Sequence, residues 1–159
     1  MNFDQAFDVL MQREGGYTVD SGGPTMYGVT EAVARANGYT GDMRDLPLPF
    51  AKHIAWESYW LTAHCDQAPD ACRYDLFDAA YNQGPVTAVR LLQEAIGGIT
   101  VDGDFGPLTM RAASKMDPQL LSKRFNAHRI LSYTGDAGFS IDGRGWMNRV
   151  AANMLMEAS

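Results

Sequence analysis

QREGGYTVDSGGPTMYGVTE, residues 12–31, decides the fold. It sets one acid, Glu14, before two glycines. A polar, turn-rich ribbon follows, carrying Asp20, the Ser21-Gly22-Gly23-Pro24 turn, Thr25 and Thr30. Upstream, Phe3, Ala6, Phe7, Leu10 and Met11 recur at i, i+3, i+4, i+7 and i+8, the stripe of an amphipathic helix. One more turn brings Glu14 nearly over Phe3, on the apolar face, and Gly15-Gly16 is expected to end the helix there. Residues 17–30 read as a short β-ribbon.

Downstream the chain reads as helices. Thr30 is placed to cap a helix over 31–37, which Asn37-Gly38 stops. Residues 39–48 form a loop, and Pro49 suits the start of a helix to about residue 62. A loop with Cys65, Cys72 and Pro69 precedes a helix over 73–83. The next helix, about 86–97, turns Val86, Val89, Leu92 and Ile96 inward and ends at Gly97-Gly98. ITVDGDFG, residues 99–106, reads as a tight hairpin-like turn. Helices are predicted at about 107–115, 118–133 and 144–156, the last with a stripe of Trp146, Met147, Val150, Ala151, Met154 and Leu155. The class is mainly α, an α+β chain with an orthogonal helical bundle and a small β-ribbon near the N-terminus.

The 159 residues suit a single domain, with 46% apolar residues to fill a core. A net charge of −6 argues against nucleic acid, whose phosphates need clustered Lys and Arg. No apolar run approaches the ~18 residues of a membrane span, and no signal peptide is visible. The protein is therefore expected to be made in the cytoplasm. Two cysteines and three histidines in no ligand spacing argue against a metal site, and no cofactor is expected. Cys65 and Cys72 read as two loop thiols, or as a local disulfide in an oxidising space.

The opening stretch has a chemical reading. Desolvation favours the protonated form of a carboxylate, the state in which it donates a proton to a glycosidic oxygen. A second polar group must then hold water or stabilise the oxocarbenium-like transition state. Glu14, Asp20 and Thr25, spaced E-x5-D-x4-T, offer an acid, a base and a water-positioning hydroxyl. An acid before a helix-ending Gly-Gly, with Asp and Thr in a turn, is also ordinary structural chemistry.

EGGY at 14–17 and GGPTMYGVT at 22–30 resemble the E-G-G-Y … G-G-x-T-x-Y-G-[IV]-T signature of the glycoside hydrolase family 108 N-acetylmuramidases of phage endolysins and related bacterial proteins. The blocks YW (59–60), FDAAYNQGP (77–85), LLQEAIG (91–97), DGDFGPLT (102–109) and GWMNRV (145–150) are similar to later blocks of that family, in order. The resemblance implies a lysozyme-like fold over 1–159, with a catalytic part in 1–83 and a helical lobe in 84–159. LLQEAIGGITVDGDFGPLTMRAA within that lobe is similar to helical peptidoglycan-binding modules, though it also reads as a lobe packed on the first part. The layout is similar to the T-even phage lysozymes, where the spacing is E-x8-D-x5-T. The shorter spacing here leaves Asp20 less secure than Glu14, and Glu14 alone, as in goose-type lysozymes, stays open.

The resemblance implies hydrolysis of the β-1,4 bond between N-acetylmuramic acid and N-acetylglucosamine, with Glu14 as the acid. AAYNQG is similar to the A-Y-N-x-G motif of lytic transglycosylases, which places Tyr81 and Asn82 at the sugar. Asn82 reads equally well as a helix C-cap. Tyr27 is a further substrate-binding candidate. The implied partner is the glycan strand of peptidoglycan, met by a monomer at the cell wall after release through a phage holin. A lytic transglycosylase and a non-catalytic wall-binding or secretion-associated protein are the alternatives.

Overall fold

The computed structural model describes residues 1–20 and 22–157, with only the backbone of Asp20 and Glu157. The protein is mainly helical with one three-stranded antiparallel sheet near the N-terminus, as the sequence predicts. It divides into two compact units, Met1–Thr62 and Ala63–Ser159.

In the first unit, helix α1 (Phe3–Met11) starts with a capping box. Asn2 Oδ1 accepts from the Gln5 amide, and Gln5 Oε1 accepts from the Asn2 amide, both at 3.0 Å. Ala6, Phe7 and Leu10 are buried. The helix stops earlier than the sequence predicts. Met11 is its last residue, and a loosened turn follows in which the Arg13 and Glu14 amides both bond to the Leu10 carbonyl at 3.0 Å. Gly15 and Gly16 therefore do not end it, and neither has the positive φ of a glycine cap.

Strands β1 (Thr18–Asp20), β2 (Gly23–Met26) and β3 (Val29–Thr30) form the sheet in sequence order. The first turn is tighter than expected. Gly23 and Pro24 belong to β2, paired with Asp20 and Val19, while Ser21 lies outside the described residues. The second turn is Tyr27-Gly28, with φ of 55° and 78°, between the paired residues Met26 and Val29. Both central residues are left-handed, as a two-residue hairpin loop requires. Helix α2 (Glu31–Ala36) begins where Thr30 Oγ1 accepts from the Val33 amide at 3.3 Å, and it ends at Asn37-Gly38.

Helix α3 (Leu48–Ile54) starts at Pro47-Leu48-Pro49 and then widens into a π-helix over Ala55–Leu61. One regular helix to residue 62 is what the sequence predicts. The wider turn leaves the Glu57 carbonyl to the Thr62 hydroxyl, which donates to it at 3.0 Å. Trp56 and Trp60 lie nearly parallel, with centroids 6.4 Å apart, and Phe3 packs edge-on against both. Such edge-to-face packing is the preferred aromatic geometry.

The second unit is all helical among its described residues: α4 (Asp70–Gln83), α5 (Pro85–Ile96), α6 (Pro107–Ala113), α7 (Pro118–Thr134) and α8 (Phe139–Glu157). Proline opens α5, α6 and α7, where its missing N–H costs nothing. Helix α4 is buried along most of its length and packs on α5 and α7. Cys72 lies in its first turn, not in a loop, with its Sγ donating to the Pro69 carbonyl at 3.5 Å, and both thiols are buried and outside any disulfide.

The centre of this unit is polar. Asp75 accepts from Asn126 Nδ2 (2.6 Å) and Asn153 Nδ2 (2.8 Å). Asp78 meets Arg129 Nη1 (2.7 Å) and accepts from Arg149 Nε (2.9 Å) and Asn153 Nδ2 (3.2 Å). Burial pushes the Asp78 carboxyl up, but the two guanidiniums outweigh it and hold the group below the usual carboxylate range. These bonds rotate α8 away from its predicted stripe. Val150 and Asn153 are buried, whereas Met154 and Leu155 are exposed. Helix α8 also begins five residues early, at Phe139.

Two further expectations fail locally. Val86 is exposed in the first turn of α5. Residues 99–106 form no strands, because Gln93 of α5 holds the loop from inside. Its Nε2 donates to Asp102 Oδ1 (2.7 Å), the Asp104 carbonyl (3.0 Å) and Thr109 Oγ1 (3.1 Å), while its Oε1 accepts from the Gly103 amide (2.8 Å).

Candidate active site

Four of the six residues singled out in the sequence belong to the first unit. Glu14 is half-buried, not buried, and leads from the loosened end of α1 into β1. Beside it, Gly15 and Gly16 are exposed. A Cβ built on either would meet nothing within 4 Å among the described residues, and both have negative φ. Neither backbone conformation nor internal packing therefore requires glycine at these two positions. Together they make a bare strip of backbone next to a carboxylate.

The sheet places Asp20 and Thr25. Asp20 ends β1 opposite Gly23, and its side chain lies outside the described residues. Thr25 is on the central strand, with Thr18 opposite it on one side and Thr30 on the other. Cross-strand partners share a face, so the three threonines form a row of hydroxyls. Thr30 spends its hydroxyl on the α2 cap. Thr25 makes no side-chain hydrogen bond to another described residue.

Tyr27 stands at the second turn in a conformation that a bulky residue seldom adopts. Left-handed backbone costs a non-glycine residue about 1–2 kcal/mol, and such strain clusters at functional sites. Asparagine would suit this turn better by its backbone alone. Tyr17, the last residue of EGGY, is covered by the Arg44 guanidinium, 5.0 Å from its ring centre. Arg44 comes from a 3-10 turn over Met43–Asp45. Sequence patterns give no hint of Arg44, since it sits in a loop without periodicity.

The other two residues lie in the second unit, at the end of α4. Tyr81 is nine-tenths buried against Phe77, with ring centroids 6.2 Å apart. Asn82 is exposed, and its Nδ2 donates back to the Asp78 carbonyl at 2.7 Å. The helix cap is Gly84 (φ 87°), so Asn82 does not supply it. The anchor of this segment is Gln83, which the sequence does not single out. Its Oε1 accepts from Arg129 Nε and its Nε2 donates to Ser132 Oγ, both at 3.2 Å. Among the described residues no three His, Cys, Asp or Glu side chains gather as metal ligands do. No described helix is long and apolar enough to cross a membrane.

Comparison with known proteins assigns both parts of the chain. Residues 7–84 match the family model described as Glycosyl hydrolase 108, and residues 87–151 match that described as Predicted Peptidoglycan domain. The boundary falls at the Gly84-Pro85 junction of α4 and α5. The solved structure of Brucella abortus SagA is similar over 98% of this chain and 93% of that one, with a TM-score of 0.90 and 29% identity. None of the curated proteins matches the chain.

Proposed function

From the matches of residues 7–84 to the Glycosyl hydrolase 108 model and of residues 87–151 to the Predicted Peptidoglycan domain, we propose that the protein is a muramidase that cleaves between N-acetylmuramic acid and N-acetylglucosamine. The observation that carries this reading is the half-buried Glu14 beside a strip of backbone that nothing in the described chain covers. A sugar can lie against bare glycine backbone and bring its glycosidic oxygen to the acid. Glu14 donates the proton as the bond to the leaving sugar breaks. Asp20 and Thr25 hold the attacking water, and the uncommitted Thr25 hydroxyl suits that task. A carboxylate pair with water between its members gives inversion. Tyr27, Tyr81 and Asn82 are the proposed sugar contacts. An endolysin that reaches the wall after release through a holin is the proposed setting.

The test is mass spectrometry of products from purified peptidoglycan, wild type against Glu14→Gln. Reducing-end muramic acid products that vanish in the variant are expected. Products lighter by one water, with a 1,6-anhydro ring, would replace hydrolysis by transglycosylation and leave Asp20 structural. A wild type that yields no products would make the protein a wall binder.

A further inference from the structure

The second unit has a groove of about 360 Å³ between α5 and α7. Leu91 and Leu131 supply its apolar surface, and Thr87, Arg90, Glu94, His128 and Ser132 its polar groups. All seven fall within residues 87–151, the stretch that matches the peptidoglycan domain.

The polar groups are arranged by charge. Arg90 makes no ion pair or hydrogen bond to any described residue, and Asp102 only feels its charge. It stands midway along α5, and its guanidinium lies beside the Gly103 turn. One turn further along stands Glu94, about 6 Å away at ~1.5 Å per residue. His128 Nδ1 lies 3.4 Å from Glu94 Oε2 and steadies that carboxylate from α7. Ser132 Oγ already accepts from Gln83 Nε2, so its own proton is left to donate.

One end of the groove thus suits a carboxylate and the other an ammonium group. Glycan strands whose muramic acid carboxyls carry peptide are neutral N-acetyl sugars, which favour broad aromatic platforms, and no Phe, Tyr or Trp lines this groove. The peptide stems of peptidoglycan carry both carboxylates and a free amine. We propose that the α5–α7 groove binds the peptide stem, with a stem carboxylate on Arg90 and the stem amine on Glu94. The inference rests on peptidoglycan being the polymer that the protein acts on. It assigns the α5–α7 groove to the peptide and leaves the glycan to the sugar contacts proposed above.

The probe is the free tetrapeptide L-alanyl-γ-D-glutamyl-meso-diaminopimelyl-D-alanine, titrated into the full-length wild-type protein and followed by amide NMR. Shifts confined to residues 87–94 and 128–132 are expected. Arg90→Gln and Glu94→Gln, both exposed and outside the proposed catalytic machinery, should each weaken binding at least tenfold at an unchanged Tm. Absence of shifts at millimolar peptide, shifts elsewhere, or variants that bind like wild type would overturn the proposal. So would the same shifts produced by glycan strands stripped of peptide. Release of reducing ends from whole sacculi, measured in parallel, separates the two readings. Tetrapeptide binding without cleavage would sink the muramidase alone, and cleavage without tetrapeptide binding would sink the groove alone.

Discussion

Replacing Gly15 and Gly16 by alanine should make the protein more stable and less active at once. Both residues have negative φ, and a methyl group on either enters open space among the described residues. Alanine at such a position restricts the unfolded chain without straining the folded one, worth about 0.4–1 kcal/mol per site. The pair should therefore add about 1–2 kcal/mol. At roughly 2–4 °C per kcal/mol for a chain of this size, Tm should rise by about 2–8 °C. Activity should move the other way if a sugar lies on this strip. Two methyl groups displace it from Glu14, and a misplacement of about 1 Å costs on the order of 10²-fold in rate. The assay is paired: thermal unfolding by circular dichroism, and reducing-end release from purified sacculi. A fall in Tm would refute the structural reasoning, because the fold itself would then need these glycines. A raised Tm with undiminished cleavage would refute the functional reasoning, because nothing would use the open strip.

Asp78→Asn should cost about 3–5 kcal/mol, the usual penalty for stranding a buried charge, here that of Arg129 beside it; chemical denaturation measures it. The folded value of Asp78 lies below its unfolded one, so its stabilisation is present above about pH 4 and is lost as pH falls through the folded value. The Tm of wild type should therefore hold steady from about pH 5 to 8 and drop below about pH 4. Gln93→Leu should remove about 3–4 kcal/mol, at ~1 kcal/mol for each hydrogen bond lost, and speed hydrogen exchange at the Gly103 amide. Burial raises the Cys65 thiol above its ordinary value, and Cys72 is buried too. Both should resist alkylation in the native protein and react on denaturation, and one fast-reacting thiol in the folded state would contradict their placement.

Where one periodicity or one cap governs an element, the sequence reads correctly. The Phe3-Phe7-Leu10 stripe and the Thr30 cap are local signals, and helices stand where they put them. The failures are non-local. Apolar periodicity places Met154 and Leu155 inward, but Asp75 and Asp78, more than seventy residues away, need the Asn153 amide. Asp102-Gly103 has the composition of a hairpin turn, yet one buried glutamine takes the bonds that strands would have made. A π-helix has no compositional signature, so Ala55–Leu61 reads as ordinary helix. In the candidate site, Glu14 is legible because it sits at a junction between two patterns. Arg44 over Tyr17 and the anchor at Gln83 are not, because each depends on a partner from another element.

The two units treat carboxylates in opposite ways, and the contrast bears on which acid can do chemistry. Asp75 and Asp78 are the most buried of the described carboxylates, so burial alone would nominate them as catalytic acids. Their surroundings argue against it. Each has both oxygens engaged by amide or guanidinium groups of α7 and α8, and Asp78 is held in its ionised form by two cations. Such a group has no proton to give near neutral pH and no path for a sugar to reach it. Its role is to fix the register of α4, α7 and α8, which in turn sets Gln83 and, through α7, the groove that holds His128 and Ser132. Glu14 has the complementary properties: partial exposure, an approach lined by bare backbone, and a place where one pattern of structure gives way to another. Accessibility, not depth, separates a carboxylate that can protonate a substrate from one that holds helices together.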